Sequence, residues 1–182
     1  DSGAAYVFVK GASNWNLLQE LTAPSPKAND WYGSHVAVEG NGAVVGAQQV
    51  DAPATNSGAA YWYSRSGPTW TLRHSLPVSP GGANENFGWT VGISGSTVAV
   101  GAPFDNDHKS SNPGSVYIFV ECKSNGEACA ADAECCGNSC VDGVCCDTTC
   151  GGGKTDDCQA CSKNAGGSVD GTCSVIDAGV AC

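Results

Sequence analysis

Between Gly3 and Val120 apolar side chains return at every second position in short runs, separated by clusters of Gly, Pro, Ser and Asn. Period-two patterning rich in aromatic and β-branched residues predicts strands, and no sustained helical period competes with it. Residues 3–9 alternate small or aliphatic groups with aromatics, and residues 58–63 and 114–120 do the same. A second kind of run places Trp15, Leu17 and Leu21 on one face, as it does Trp70, Leu72 and Leu76. The stretches Thr22 to Asp30 and Pro77 to Asn86 are built from turn-forming residues and are expected to be solvent-facing connections. Each leads into a hairpin, Tyr32 to Ala47 or Phe87 to Pro103, whose turn (Glu39-Gly40-Asn41-Gly42 or Ser94-Gly95-Ser96) offers glycine for a positive φ.

These runs are copies of one another. Phe87-Gly88, Val91, Gly95 and Val100-Gly101-Ala102 answer Tyr32-Gly33, Val36, Gly40 and Val45-Gly46-Ala47 at a constant shift of 55 positions. Gly58, Ala60, Tyr61, Trp70, Leu72 and Leu76 answer Gly3, Ala5, Tyr6, Trp15, Leu17 and Leu21 at the same shift, and one inserted residue makes it 56 for Gly114 and Tyr117. With hairpin strands A and B, the Gly-Ala-Ala-Tyr strand C and the Trp-x-Leu strand D, the chain order is C, D, A, B, C, D, A, B, C. Four antiparallel strands per repeat is the arithmetic of a β-propeller blade. The expected fold is therefore all-β: a partial propeller of two four-stranded blades plus an extra strand over residues 1–120, followed by a small disulfide-rich region.

Phe87-Gly88-x-x-Val91 followed by Val100-Gly101-Ala102-Pro103 resembles the FG-GAP repeat, the blade unit of integrin α-subunit propellers and of many bacterial surface proteins. The first hairpin departs from it in having Tyr32 for Phe and Gln48 for Pro. The resemblance implies a β-propeller used for extracellular binding or adhesion rather than catalysis. Natural propellers close with about four to eight blades. The ring is completed elsewhere, or copies assemble, or a short stack is capped by the tail.

All 12 cysteines fall at or after Cys122, a density that marks a disulfide scaffold and an oxidising, extracellular or cell-surface location. Two small modules are expected, residues 121–145 and 146–182. Cys122, Cys129, Cys135, Cys136, Cys140 and Cys145 resemble the inhibitor cystine knot, which would imply the pairs 122–136, 129–140 and 135–145; by count alone six cysteines allow fifteen pairings. Cys146, Cys150, Cys158, Cys161, Cys173 and Cys182 form the second set, where a zinc site on Cys158-x-x-Cys161 and Cys146-x3-Cys150 is the lesser reading beside disulfides. The tail also resembles Cys-rich regions of secreted proteins from predatory soil bacteria. A chain beginning at Asp1 rather than Met is expected to be a processed or excised piece.

The net charge of −10 argues against nucleic acid as a partner, and no apolar run is long enough for membrane insertion. His35, His74 and His108 share no repeat position, and no nucleophile elbow, metalloprotease helix or phosphate loop occurs, so a non-enzyme is expected with no cofactor unless calcium binds. Asp105, Asn106 and Asp107 are the candidate calcium ligands, being hard oxygen donors in one loop. The carboxylates of the familiar A–B calcium loop are missing from both hairpins. Trp31 and Trp89 lack aromatic counterparts at Asn86 and Ser34 and are the candidate ligand contacts, whereas Trp15, Trp62 and Trp70 are expected to pack. The function these features favour is a binding or adhesion module of a larger secreted protein, its partner a protein, a glycan or copies of itself. A fibre or sheath subunit joined through open blade edges is the second reading, and a non-catalytic part of a secreted enzyme the third.

Overall fold

The computed structural model describes residues 1–77, 82–106, 113–123, 127–131, 135–136, 140–141, 144–145, 159–160 and 174–175, and every regular element among them is a strand. The chain divides into two compact units, Asp1–Val120 and Glu121–Cys182.

In the first unit β1 (Ala5–Lys10) pairs with β2 (Trp15–Leu21). The strands β3 (Tyr32–Glu39), β4 (Gly42–Ala47), β5 (Ala59–Ser66) and β6 (Thr69–Pro77) form a four-stranded antiparallel sheet in chain order. A three-stranded sheet follows, made of β7 (Thr90–Ser94), β8 (Thr97–Ala102) and β9 (Ser115–Val120). These are the nine strands that the repeat predicts, dealt out as two, four and three. Among the described residues the middle blade has all four strands, while the first sheet contains C and D and the third A, B and C.

Alternation along the strands splits the apolar residues between two cores. Ala43, Val45, Tyr61, Tyr63 and Trp70 turn from the middle sheet toward Ala5, Val7, Leu18 and Leu21 of the first. Val44, Ala60, Trp62 and Leu76 turn the other way, onto Phe87, Val98, Val100 and Ala102 of the third. Burying a side chain such as Phe87, which is 0% exposed, contributes about 1.5–3 kcal/mol. Among the described residues of the first unit, the middle sheet is packed on both faces.

The connections differ from the solvent-facing loops expected. Asp30, Glu85 and Asn86 are buried, because each loop docks on the preceding blade before its hairpin starts. Trp15 also differs: it is 66% exposed, although its repeat partner Trp70 is 5% exposed. Trp70 is covered by the first sheet, and no described strand of the first unit stands in that relation to Trp15.

In the second unit the bridges Cys122–Cys136, Cys129–Cys140 and Cys135–Cys145 are the pairs that the cystine-knot resemblance implies. Two short strands, β10 (Cys140–Val141) and β11 (Val144–Cys145), pair beside them, and β12 (Gln159–Ala160) pairs with β13 (Ser174–Val175). Cys146, Cys150, Cys158, Cys161, Cys173 and Cys182 lie outside the described residues.

Two outcomes are expected. All five tryptophans lie in the cysteine-free unit, so reductant will leave the urea midpoint followed by tryptophan emission unchanged while it abolishes amide-exchange protection in residues 121–145. Gly58→Ala will destabilise the first unit by more than about 4 kcal/mol, because its Cβ would lie 2.0 Å from the Phe87 carbonyl oxygen at a φ of +89°. Gly40→Ala, with the same conformational penalty and no atom within 4 Å, will cost only about 1–2 kcal/mol in the same denaturation experiment.

Candidate binding surface

The geometry of the molecule is set where one blade meets the next. Ser2 and Gly3 receive the start of β3: the Tyr32 amide donates to the Ser2 carbonyl at 2.9 Å, and Gly3 bridges Tyr32 in parallel. Ser57 and Gly58 receive Phe87 in the same way, again at 2.9 Å. Backbone sits against backbone there. A Cβ on Gly33 would meet the Ala4 carbonyl oxygen at 2.4 Å, one on Gly88 the Ala59 oxygen at 2.3 Å, and one on Gly46 the Gly88 oxygen at 2.1 Å. Each aromatic–glycine pair is thus inserted into a socket whose wall must itself be glycine.

A family model of the FG-GAP repeat matches residues 15–63 and 70–119, which is more than half of the chain. The chain belongs to the FG-GAP repeat family. Comparison with curated proteins gives no match. The motif's residues therefore read as junction chemistry: Phe or Tyr fills the inter-blade core, and Gly at each place permits the close approach.

Further ties span the junctions of these FG-GAP blades. The Gln19 side-chain amide donates to the Trp70 carbonyl and accepts from the Trp70 amide, both at 2.8 Å, acting as a one-residue strand between β2 and β6. Gly95 donates its amide to the Glu39 carboxylate at 2.6 Å, joining the two A–B turns. Sequence reasoning passed over Gln19, and it missed Asp30 and Glu85, which occupy one repeat position just ahead of the aromatic–glycine pair. An acidic side chain repeated at the 55-residue shift was the available signal.

Asp105 is buried, and its Oδ2 accepts from the Tyr117 hydroxyl at 2.7 Å, while its backbone bonds Ala102 and Gly114. It staples the turn after β8 to the start of β9. Asn106 is exposed, and Asp107 lies outside the described residues. Among the described residues the grouping of three or more candidate metal ligands is Cys129, Cys135 and Cys145, whose sulfurs are consumed in two bridges, Cys129–Cys140 and Cys135–Cys145.

The two candidate tryptophans have separate settings. Trp89 is 40% exposed and packs edge-on against Phe104, with ring centroids 5.8 Å apart. Trp31 is 50% exposed and sits in the left-handed region at φ 56°. The matching position in the next repeat is Asn86, also left-handed at φ 55°, where the short amide suits that backbone. Trp31 is bulky, strained and half in solvent.

A hydroxyl cluster lies inside the first core. Tyr32 and Tyr63 share a hydrogen bond of 2.7 Å, Tyr63 donates onward to the Thr22 carbonyl at 3.3 Å, and the Tyr32 and Tyr61 rings meet at 5.4 Å. With the Tyr63 proton so directed, Tyr32 is the donor of the shared bond. Burial pushes the Tyr32 hydroxyl far above the ordinary tyrosine value, and its bond to Tyr63 adds to this. Burial also raises Tyr61, with Asp30 adding to it, and raises Tyr63, opposed by the bond from Tyr32. These hydroxyls stay neutral and structural.

The folded state disfavours tyrosinate, so the contribution of the cluster is complete below the unfolded value of about 10 and is lost as pH rises through the raised folded values. Urea midpoints measured between pH 8 and 11 are expected to hold and then fall. The fall will be shallower in the Tyr32→Phe, Tyr63→Phe double variant.

Proposed function

We propose that the chain is an extracellular, non-catalytic recognition module that binds a protein or glycan ligand through aromatic side chains carried on the turns entering its blades. The observation behind this reading is Trp31. A large aromatic is kept half exposed in a left-handed conformation that costs about 1–2 kcal/mol. The neighbouring repeat folds with Asn at the same place, so the fold itself does not require the indole. Strain held at an exposed side chain points to a contact made outside the molecule. Indole faces stack on sugar rings and fill protein pockets at low conformational cost. Membership of a generally non-catalytic family and a tail bridged by disulfides support an extracellular binding role.

Trp31→Asn is the discriminating variant. It is expected to raise stability to urea by about 1 kcal/mol. It is also expected to weaken at least tenfold the saturable binding detected by calorimetry against a panel of defined oligosaccharides and purified surface proteins. Unchanged affinity in that variant refutes the role of Trp31.

A second reading, a structural subunit, draws on the apolar residues left open at both ends of the stack: Tyr6, Phe8 and Leu17 on the first sheet, and Val116, Ile118 and Val120 on the third. Sedimentation velocity separates the two readings, since a subunit polymerises without ligand and a recognition module does not.

A further inference from the structure

The turns ahead of β3 and β7 are one backbone built twice. Asn29 and Trp31 are left-handed at φ 70° and 56°, and at the repeat shift Asn84 and Asn86 are left-handed at 64° and 55°. The Trp31 carbonyl accepts the Ser34 amide at 3.1 Å, as the Asn86 carbonyl accepts the Trp89 amide at 3.1 Å. Two copies of the same turn therefore carry two different sets of side chains.

In the second copy those side chains are spent inside the molecule. The Asn84 side-chain oxygen accepts from Asn56 Nδ2 at 3.0 Å, and Asn86 Nδ2 donates to the Gln48 carbonyl at 3.2 Å. Phe104 packs there against Trp89. The first copy leaves the matching places open. Asn29 and Gln49 are the counterparts of Asn84 and Phe104, and among the described residues their side chains make no hydrogen bond. Asn29 is exposed and Gln49 is half-buried. Both stand close to Trp31 along the backbone: Asn29 precedes it by two residues, and the Gln49 amide donates to the Asp30 carbonyl at 3.3 Å. An indole that is 50% exposed is thus accompanied by two uncommitted carboxamides.

That combination has a definite chemical preference. A carboxamide carries donors and an acceptor without charge, which suits a hydroxyl that both gives and takes a hydrogen bond. The indole face is apolar and suits the C–H face of a pyranose ring. A protein hot spot calls instead for surrounding contacts that exclude water, and solvent-facing amides do not supply them. The net charge of −10 disfavours an anionic sugar.

We propose that Trp31 stacks on a neutral pyranose of a glycan whose hydroxyls are bound by the Asn29 and Gln49 carboxamides. This rests on the recognition reading of Trp31 and narrows its ligand from protein or glycan to an uncharged sugar. The second turn, whose amides are consumed, is not a second sugar site.

The probe is an array of uncharged oligosaccharides of glucose, galactose, mannose and N-acetylglucosamine, presented to the intact protein. Sialylated and sulfated forms and purified surface proteins free of glycan are presented beside it. Saturable binding to an uncharged oligosaccharide is expected, with a shift in tryptophan emission that Trp31→Asn removes. Asn29→Gly keeps the left-handed turn and deletes the amide. It is expected to weaken binding by about fivefold or more, the scale of one lost hydrogen bond, without lowering the urea midpoint, and Gln49→Ala is expected to do the same. Asn84→Gly will do the reverse, lowering the midpoint and leaving affinity unchanged, because its amide is an internal tie. The proposal is overturned if either Asn29→Gly or Gln49→Ala binds the sugar as tightly as the parent, or if only charged glycans bind. It is also overturned if Trp31-dependent binding is confined to the glycan-free proteins, an outcome that leaves the recognition reading standing. Both fail together if nothing on either panel binds in a Trp31-dependent manner.

Discussion

The constraint on which the molecule depends is backbone contact between successive sheets. A propeller-type stack needs each blade to be placed on the one before it, and apolar faces alone allow sliding. Here the register is fixed by an aromatic residue whose amide bonds the carbonyl just ahead of the previous blade's glycine, as Phe87 does with Ser57. The aromatic ring is buried in the core and the following glycine lies within contact of a carbonyl, as Gly88 does with Ala59. Hydrophobic burial supplies most of the energy, being roughly proportional to area and without direction. The glycine contacts supply direction, since any Cβ there would force the sheets apart.

Polar ties reinforce the same placement at the level of the connecting loops. Asn56 and Asn84 share a side-chain bond, and the Asn86 amide reaches the Gln48 carbonyl, so the connection ahead of β7 is laced to the loop of the preceding blade. Gln19 performs the equivalent task farther out, at Trp70. In the core between the first and middle sheets the Tyr32 and Tyr63 hydroxyls satisfy one another, which removes the penalty of burying them singly. On the third sheet Val116, Ile118 and Val120 stay exposed. An apolar first-sheet face at the other end, and a cavity of about 560 Å3 beside β1 lined by Val36 and Val38, mark where β1 lacks a B-strand neighbour. Val91 and Ile93, the counterparts of those two valines, do pack against the middle sheet.

The second unit solves a different problem. It lacks aromatic residues altogether, so it has little with which to build a core, and covalent cross-links take over that function. Adjacent cysteines Cys135 and Cys136 bond in different directions, to Cys145 and Cys122, and thereby tie the segment at its middle.

Strand number, strand order, turn glycines and repeat boundaries were legible in the sequence, because side-chain alternation and the 55-residue shift are local or periodic properties that leave direct marks. Composition likewise separated the cysteine-free unit from the bridged one. What tertiary structure alone decided was the grouping of the nine strands into sheets and the environment of each repeated residue. The family match begins at β2 and ends within β5, so one sequence repeat straddles two blades and gives no sign of where a sheet stops. Trp15 and Trp70 are the same residue in the same pattern, and one is exposed while the other is buried, because burial is a property of the neighbour and not of the side chain. For the same reason the sequence shows Asp105 only as one polar residue of a loop, and the structure alone shows it buried with its carboxylate held by the Tyr117 hydroxyl.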